Sequence, residues 1–195
     1  MEKQEKESTK SRLRKRADAI KDFQCDNLVA VLEEPTHLNN IGKVIRCVNT
    51  LGIKELYVVD SKDRLPDDWQ MMRKSKPLIR MSASAVKWSF VKKFKSTSEC
   101  LEHLQKNNFV SLATSPHQIG KKNVVLHEGD FTQQKLAVWF GSESNGLSEE
   151  VINRSEACVQ IAMYGIIESM NVSSSAAIVL YEITKQRRAL QKLNS

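Results

Sequence analysis

Apolar and polar positions alternate between two periods along this chain. Residues 28–34 (LVAVLEE) form a short apolar run halted by Pro35, the pattern of a buried strand. Behind it Ile41, Val44, Ile45, Val48 and Leu51 recur at helical spacing, with Asn39 or Asn40 placed to cap the start and Gly52 to end it. Residues 54–60 (KELYVVD) return to the strand pattern and complete a βαβ unit. Residues 61–89, interrupted by Pro66 and Pro77, read as irregular or short-helical. Ser96 and Glu99 have the form of a capping box before a helix through Leu101 and Leu104, and residues 109–114 form a further strand.

The most informative stretch is 136–182. An apolar strand, residues 136–140, stops at Gly141 and Ser142, followed by Glu143, Asn145 and Gly146. Two glycines among small polar groups permit unusual backbone angles and close approach to a ligand. A second apolar run, 158–163, leads to Gly165; then a helix opens on small polar residues, with Val172, Ala176, Leu180 and Ile183 on one face. Strands alternating with helices predict an α/β domain with a largely parallel sheet flanked by helices. Two strand ends followed by glycine loops predict a ligand site at the sheet's carboxyl edge.

Length and charge sharpen this picture. The 195 residues suit one hydrophobic core, and 41% hydrophobic with 27% charged residues is ordinary for a soluble domain. No apolar run is long enough to span a bilayer, and the charged N-terminus has no apolar core of a secretory signal behind it. Cys25, Cys47, Cys100 and Cys158 are dispersed without a C-x-x-C pair, which argues against a zinc site and for reduced thiols in the cytoplasm; no metal is expected. The net charge is +7, and its distribution matters more than its size. No acid lies between Asp68 and Glu99, an interval carrying Arg73, Lys74, Lys76, Arg80, Lys87, Lys92, Lys93 and Lys95, with Trp69, Trp88, Phe90 and Phe94 interleaved. Such groups neutralise phosphates and stack on unpaired bases, or else form a solvated face over core aromatics. Lys10, Arg12, Arg14, Lys15 and Arg16 make a second basic patch, and Lys185, Arg187, Arg188 and Lys192 a third. Three patches favour a polyanionic partner. The expected organisation is a basic arm (1–27), a catalytic domain (28–184) and a basic helix end (185–195).

By themselves the polar residues leave two readings open. Arg46, among Ile45, Cys47 and Val48, either snorkels to the surface or aims a guanidinium at a phosphate or oxyanion. Glu143 is a loop acid or a site residue; Ser169 and Asn171 are helix caps or ligand contacts.

Residues 39–53 (NNIGKVIRCVNTLGI) resemble the first signature of the SpoU/TrmH family of RNA 2′-O-methyltransferases: an Asn six residues before an Arg, ending at a glycine that introduces a strand. VWFGSESNGLSEEV resembles the second, and IAMYGIIESMNVSSSAAIVLYE the third. All three occur in order and at matching spacing, over roughly residues 28–188. Two departures stand out: Ala162 holds the place of the usual proline, and Met170 that of the usual leucine in Ser-Leu-Asn. Met keeps bulk and apolarity, whereas losing proline frees a backbone angle and adds an N–H that weakens cofactor affinity.

The resemblance implies a C-terminal trefoil knot, a homodimer and S-adenosylmethionine held by the knotted loops. It assigns the cofactor pocket to Gly141, Ser142, Glu143, Gly146, Ile161 to Met163, and Ser169, Met170 and Asn171. It makes Arg46 the catalytic arginine, oriented by Asn40, with Glu143, Ser169 and Asn171 beside them. Because guanidinium stays protonated in proteins, Arg46 is expected to clamp a neighbouring phosphate and stabilise developing alkoxide, while a phosphate oxygen or water takes the proton. The basic arm and basic C-terminal helix are similar to those of the tRNA-directed type, which methylates a D-loop guanosine ribose. The expected RNA contacts are Lys10, Arg12, Arg14, Lys15, Arg16, Arg73, Lys74, Lys76, Arg80, Lys87, Arg187 and Arg188. The rival readings are a ribosomal RNA methyltransferase and a non-catalytic RNA-binding protein on the same fold. A generic nucleotide-binding α/β protein ranks last, because no G-x-G-x-x-G or Walker sequence follows any predicted strand of this chain.

Overall fold

The computed structural model describes residues 12–120 and 122–193; the predicted RNA contact Lys10 lies outside them. Seven strands among the described residues make one sheet: β1 (Cys25–Glu33), β2 (Ile53–Val59), β3 (Phe90–Phe94), β4 (Val110–Thr114), β5 (Asn123–Val125), β6 (Leu136–Phe140) and β7 (Ala157–Gln160). Their order is β3-β2-β1-β6-β4-β7-β5, and every pairing is parallel. The helices are α1 (Arg12–Ile20), α2 (Leu38–Thr50), α3 (Trp69–Lys74), α4 (Lys76–Met81), α5 (Thr97–Lys106), α6 (Glu149–Arg154) and α7 (Val172–Leu193). Insertion of β4 between β6 and β7 fits the knotted crossover that the resemblance implies.

Strand alternation sorts the core into two layers. Leu28, Ala30 and Leu32 of β1 pack with Ile41, Val44, Ile45 and Val48 of α2 and with Ala176, Val179, Leu180 and Ile183 of α7. Val29 and Val31 face the other way, toward Leu101 and Leu104 of α5 and Val151 of α6. The chain runs outward from β1 through β2 to β3, then returns to place β6 on β1's other side. That reversal puts the topological switch point, where open α/β sheets bind ligands, between β1 and β6.

Two details depart from the sequence reading. First, β3 falls in the basic interval, because its FVKKF pattern hides a strand behind two lysines. Lys93 lies with its side chain 3% exposed and its ammonium bonded to Asp63 (2.5 Å), Asp67 (2.8 Å) and the Leu65 carbonyl (3.0 Å). Second, His37 occupies the cap position of α2, so Asn40 is inside the helix. Its amide is thereby freed for other partners. Helix α7 runs unbroken from Val172 to Leu193.

The same helix corrects the expected RNA role of Arg187. Arg187 is 5% exposed, and its guanidinium donates to the carbonyls of Phe131 (3.1 Å), Gln133 (2.7 Å) and Gln134 (3.3 Å). Burial lowers its pKa, and five donors in a planar fork let it satisfy carbonyls that no neutral group could. Arg188 donates to the Leu51 carbonyl at the end of α2, where a cation suits the helix dipole. Arg187 is thereby turned inward and unavailable to a polyanion, whereas Arg188 is half-buried. Arg187→Ala should therefore cost about 2–4 kcal/mol in urea denaturation, since it strands buried carbonyls. Lys76→Ala, on the exposed surface, should stay within about 0.5 kcal/mol.

Candidate active site

The site begins where β1 ends. Glu33 is 3% exposed and accepts from the Ser148 amide (2.7 Å), the Ser148 hydroxyl (2.6 Å) and the Thr97 hydroxyl (2.6 Å). It thus ties β1 to the starts of α5 and α6. The next residue, Glu34, has φ +46°, a left-handed conformation that costs a non-glycine residue about 1–2 kcal/mol. This sharp turn before Pro35 carries the chain across the edge, and the Thr36 amide donates to Glu143 at 2.8 Å.

Glu143 stands on the loop after β6. The loop doubles back so closely that a Cβ on Gly141 would lie 2.0 Å from the Gly146 carbonyl carbon. Ser142 and Gly146 exchange backbone hydrogen bonds of 3.0 Å each, and Gly146 takes φ +67°. No residue but glycine fits at 141. Glu33 holds the far end of this loop through Ser148.

A chain of side-chain hydrogen bonds then crosses the edge. The Asn40 amide nitrogen donates to Glu143 Oε1, and Asn40 Oδ1 accepts from Asn171 Nδ2 at 3.2 Å. Asn171 Oδ1 accepts from the Ser173 amide (2.9 Å) and hydroxyl (2.6 Å) at the start of α7. Asn40, 5% exposed, therefore joins α2 to two loops that lie 103 and 131 residues away in sequence. Burial pushes the Glu143 carboxyl up, but the Asn40 and Thr36 hydrogen bonds outweigh it and hold the pKa below the ordinary value.

Beside this chain lies a largely apolar groove of about 700 Å³. Arg46, Cys47, Ile161, Ala162, Tyr164 and Tyr181 are among its lining residues. Arg46 is exposed there and makes no ion pair among the described residues. Burial raises the neighbouring Cys47 thiol's pKa, against the lowering effect of Arg46, so it stays neutral near pH 7. The structure thus joins Asn40, Glu143 and Asn171 directly and places Arg46 with Ile161 and Ala162. Ser169 is exposed, Met163 and Met170 are half-buried, and these three stand in the connection between β7 and α7 rather than on the groove wall. Sequence reasoning passed over Glu33, Thr36 and Ser173. Glu33 ends an apolar run, the single visible sign that its carboxylate is directed inward.

Because the folded pKa of Glu143 is depressed, its contribution to stability is present above the unfolded value of about 4.3 and lost as pH falls through the folded one. Glu143→Gln should accordingly flatten the acid limb of a thermal-melting profile relative to the unaltered protein. At pH 7 the variant should melt lower.

The chain matches the SpoU rRNA methylase family over residues 27–181. A tRNA (guanosine(18)-2′-O)-methyltransferase of Borreliella burgdorferi is 27% identical over 175 residues, covering 89% of this chain and 73% of that protein. The crystal structure of the A. aeolicus TrmH/SpoU tRNA modifying enzyme superposes with TM-score 0.74 at 22% identity, over 92% of this chain and 86% of that one, a likeness of fold. The SpoU methyltransferase AviRb from Streptomyces viridochromogenes, in complex with the cofactor AdoMet (S-adenosylmethionine), superposes with TM-score 0.67 at 26% identity, over 84% of this chain and 59% of that one. With its three signatures drawn to one sheet edge and a match across most of its length, the chain belongs to the SpoU methylase family.

Proposed function

We propose that this protein transfers a methyl group from S-adenosylmethionine to a ribose 2′-hydroxyl of tRNA, with a D-loop guanosine as the target. One observation carries the reading: the hydrogen-bonded chain Glu143–Asn40–Asn171–Ser173 that fastens two loops to α2 beside the groove holding Arg46. The residues present suit the cofactor. The Gly141 loop offers backbone unencumbered by side chains, and Ile161 and Ala162 provide an apolar wall for a flat heterocycle. Gly141, Ser142, Glu143, Gly146, Ile161, Met163, Ser169, Met170 and Asn171 would hold it, and when bound it supplies an electrophilic sulfonium methyl. Ala162 leaves an N–H where family members usually have proline.

The chain's own residues then have two tasks. Asn40 locks the start of α2 to the loops, which fixes where Arg46 stands. Arg46, permanently charged, forks onto the phosphate beside the target ribose and stabilises the alkoxide as it develops. A phosphate oxygen or water accepts the proton, since guanidinium cannot. Positioning does the remainder, because a ribose hydroxyl is a very weak acid. The basic residues Arg12, Arg14, Lys15 and Arg16 of α1, together with Arg73, Lys74, Lys76, Arg80 and Lys87, form the RNA-facing surface.

The working form is a homodimer in the cytoplasm. Tyr164 (93%), Ile166 (98%), Ile167 (75%) and Tyr181 (60%) are exposed around the groove, together with Ile178, a patch of large apolar side chains suited to a second copy. Four free thiols suit a reducing compartment.

Arg46→Ala should lower the rate of labelled-methyl transfer to tRNA by about a hundredfold or more, while calorimetric S-adenosylmethionine affinity stays within a few-fold. Arg46→Lys should recover little, since an ammonium cannot form the fork. Loss of cofactor binding equal to the loss of rate would instead make Arg46 part of the pocket. Tyr181→Glu should yield a slower-sedimenting monomer with impaired transfer.

A further inference from the structure

We propose that the open edge of the sheet carries a docking groove for an unpaired nucleotide of the substrate RNA, separate from the methylation site. The proposal rests on the reading that RNA is the substrate. At that edge α3 lies along β3, and the Trp69 and Phe90 rings meet with centroids 5.5 Å apart at 53°. They line a groove of about 450 Å³ together with Tyr57, the carboxylates of Glu55, Asp67 and Asp68, and Lys92 and Lys93. The Arg73 guanidinium sits 4.9 Å above the Trp69 ring, a cation–π pair at the surface. An aromatic floor with three carboxylates and two ammonium groups on its walls suits a nucleobase, which has a π-face and mixed donors and acceptors on its edge, while the phosphates fall on the basic surface outside.

The surroundings suit the backbone attached to that base. Lys74, Lys76, Arg80 and Lys87 are exposed and make no ion pair among the described residues, and no acid occurs from Trp69 to Ser98. Trp88 is 55% and Met71 60% exposed, large apolar surface left in water within the same lobe. The segment that presents Lys87 and Trp88 is held in an unfavourable backbone: Ala83 (φ +49°) and Ser84 (φ +69°) are consecutive left-handed residues. Each is unfavourable for a residue other than glycine, and such strain clusters at functional surfaces. The Ser84 amide bonds the Ile79 carbonyl at 2.7 Å, which keeps the turn in place.

Position separates this groove from the chemistry. Phe90 pairs with Glu55, and Glu55 with Val29, four residues before Glu33 on β1. The groove runs along β3 from Phe90 to Lys93, roughly 10 Å across two strands from β1, and its Phe90 end is roughly 13 Å back along the strands from the catalytic edge. A nucleotide docked there is not the one methylated. It is another unpaired residue of the folded RNA, read by stacking. Addition of a partner protein's strand to β3 is disfavoured by Lys92 and Lys93 and by α3 alongside it.

Tryptophan fluorescence tests this directly, because Trp139 is fully buried, Trp88 is exposed and the half-buried Trp69 lines the groove. A short single-stranded RNA should quench emission saturably, and the same sequence as a duplex should not. Trp69→Phe should remove part of the quenching. Arg73→Ala should raise KM for tRNA about tenfold, with kcat and S-adenosylmethionine affinity unchanged. Trp69→Phe repeats the KM measurement should Arg73→Ala unfold. No quenching by the single strand, with KM unchanged in these variants, overturns the groove and leaves methylation standing. Absence of methyl transfer by the unaltered protein to any RNA sinks the functional reading instead, and quenching by the oligonucleotide then decides the groove by itself.

Discussion

One primary amide governs the architecture of the site. Asn40 has a donor for Glu143 and an acceptor for Asn171, and both are in use. No other uncharged side chain of that length presents one of each at fixed separation, apart from its longer homologue glutamine. An aspartate would meet Glu143 as a like charge, and a leucine would leave the Glu143 carboxylate without its strongest compensation for partial burial. The third residue of α2 thereby sets the relative placement of loops contributed by opposite ends of the chain.

Glu33 and Arg187 brace that arrangement from outside. Glu33 closes the loop after β6 by holding Ser148, and Arg187 closes the segment before β6 by gathering the carbonyls of Phe131, Gln133 and Gln134. The central strand is thus clamped at entry and exit. Each clamp is a buried ionic group satisfied by several dipoles rather than by an opposite charge. Glycine at 141 allows the return of the chain between these anchors, so rigidity and close backbone approach coexist in one loop.

Much of the fold was legible because apolar periodicity is written into β1, α2, β2, β6 and α7. The strands that escaped were short or edge strands. β5 spans three residues, and in β3 two lysines occupy the alternating positions that would ordinarily announce a strand. The signature residues Asn40, Arg46, Glu143 and Asn171 were found through spacing, yet spacing could not say that Asn40 lies within α2 rather than capping it. The direction of basic side chains was the least legible feature. Arg187 and Arg188 look like surface charge in sequence, and only the packing of α7 reveals that they face backbone carbonyls.

Ordering along the chain has a consequence for how the protein is born. Asn171 stands at the start of α7, and its partner Asn40 lies 131 residues earlier. Until α7 has been made, the core face that it covers against β1 and α2 lies open, and long-range contacts of this kind form slowly. A nascent chain therefore has no assembled centre before α7 docks. Loss of α7 then removes the cover of the core and the Asn40–Asn171 bond together.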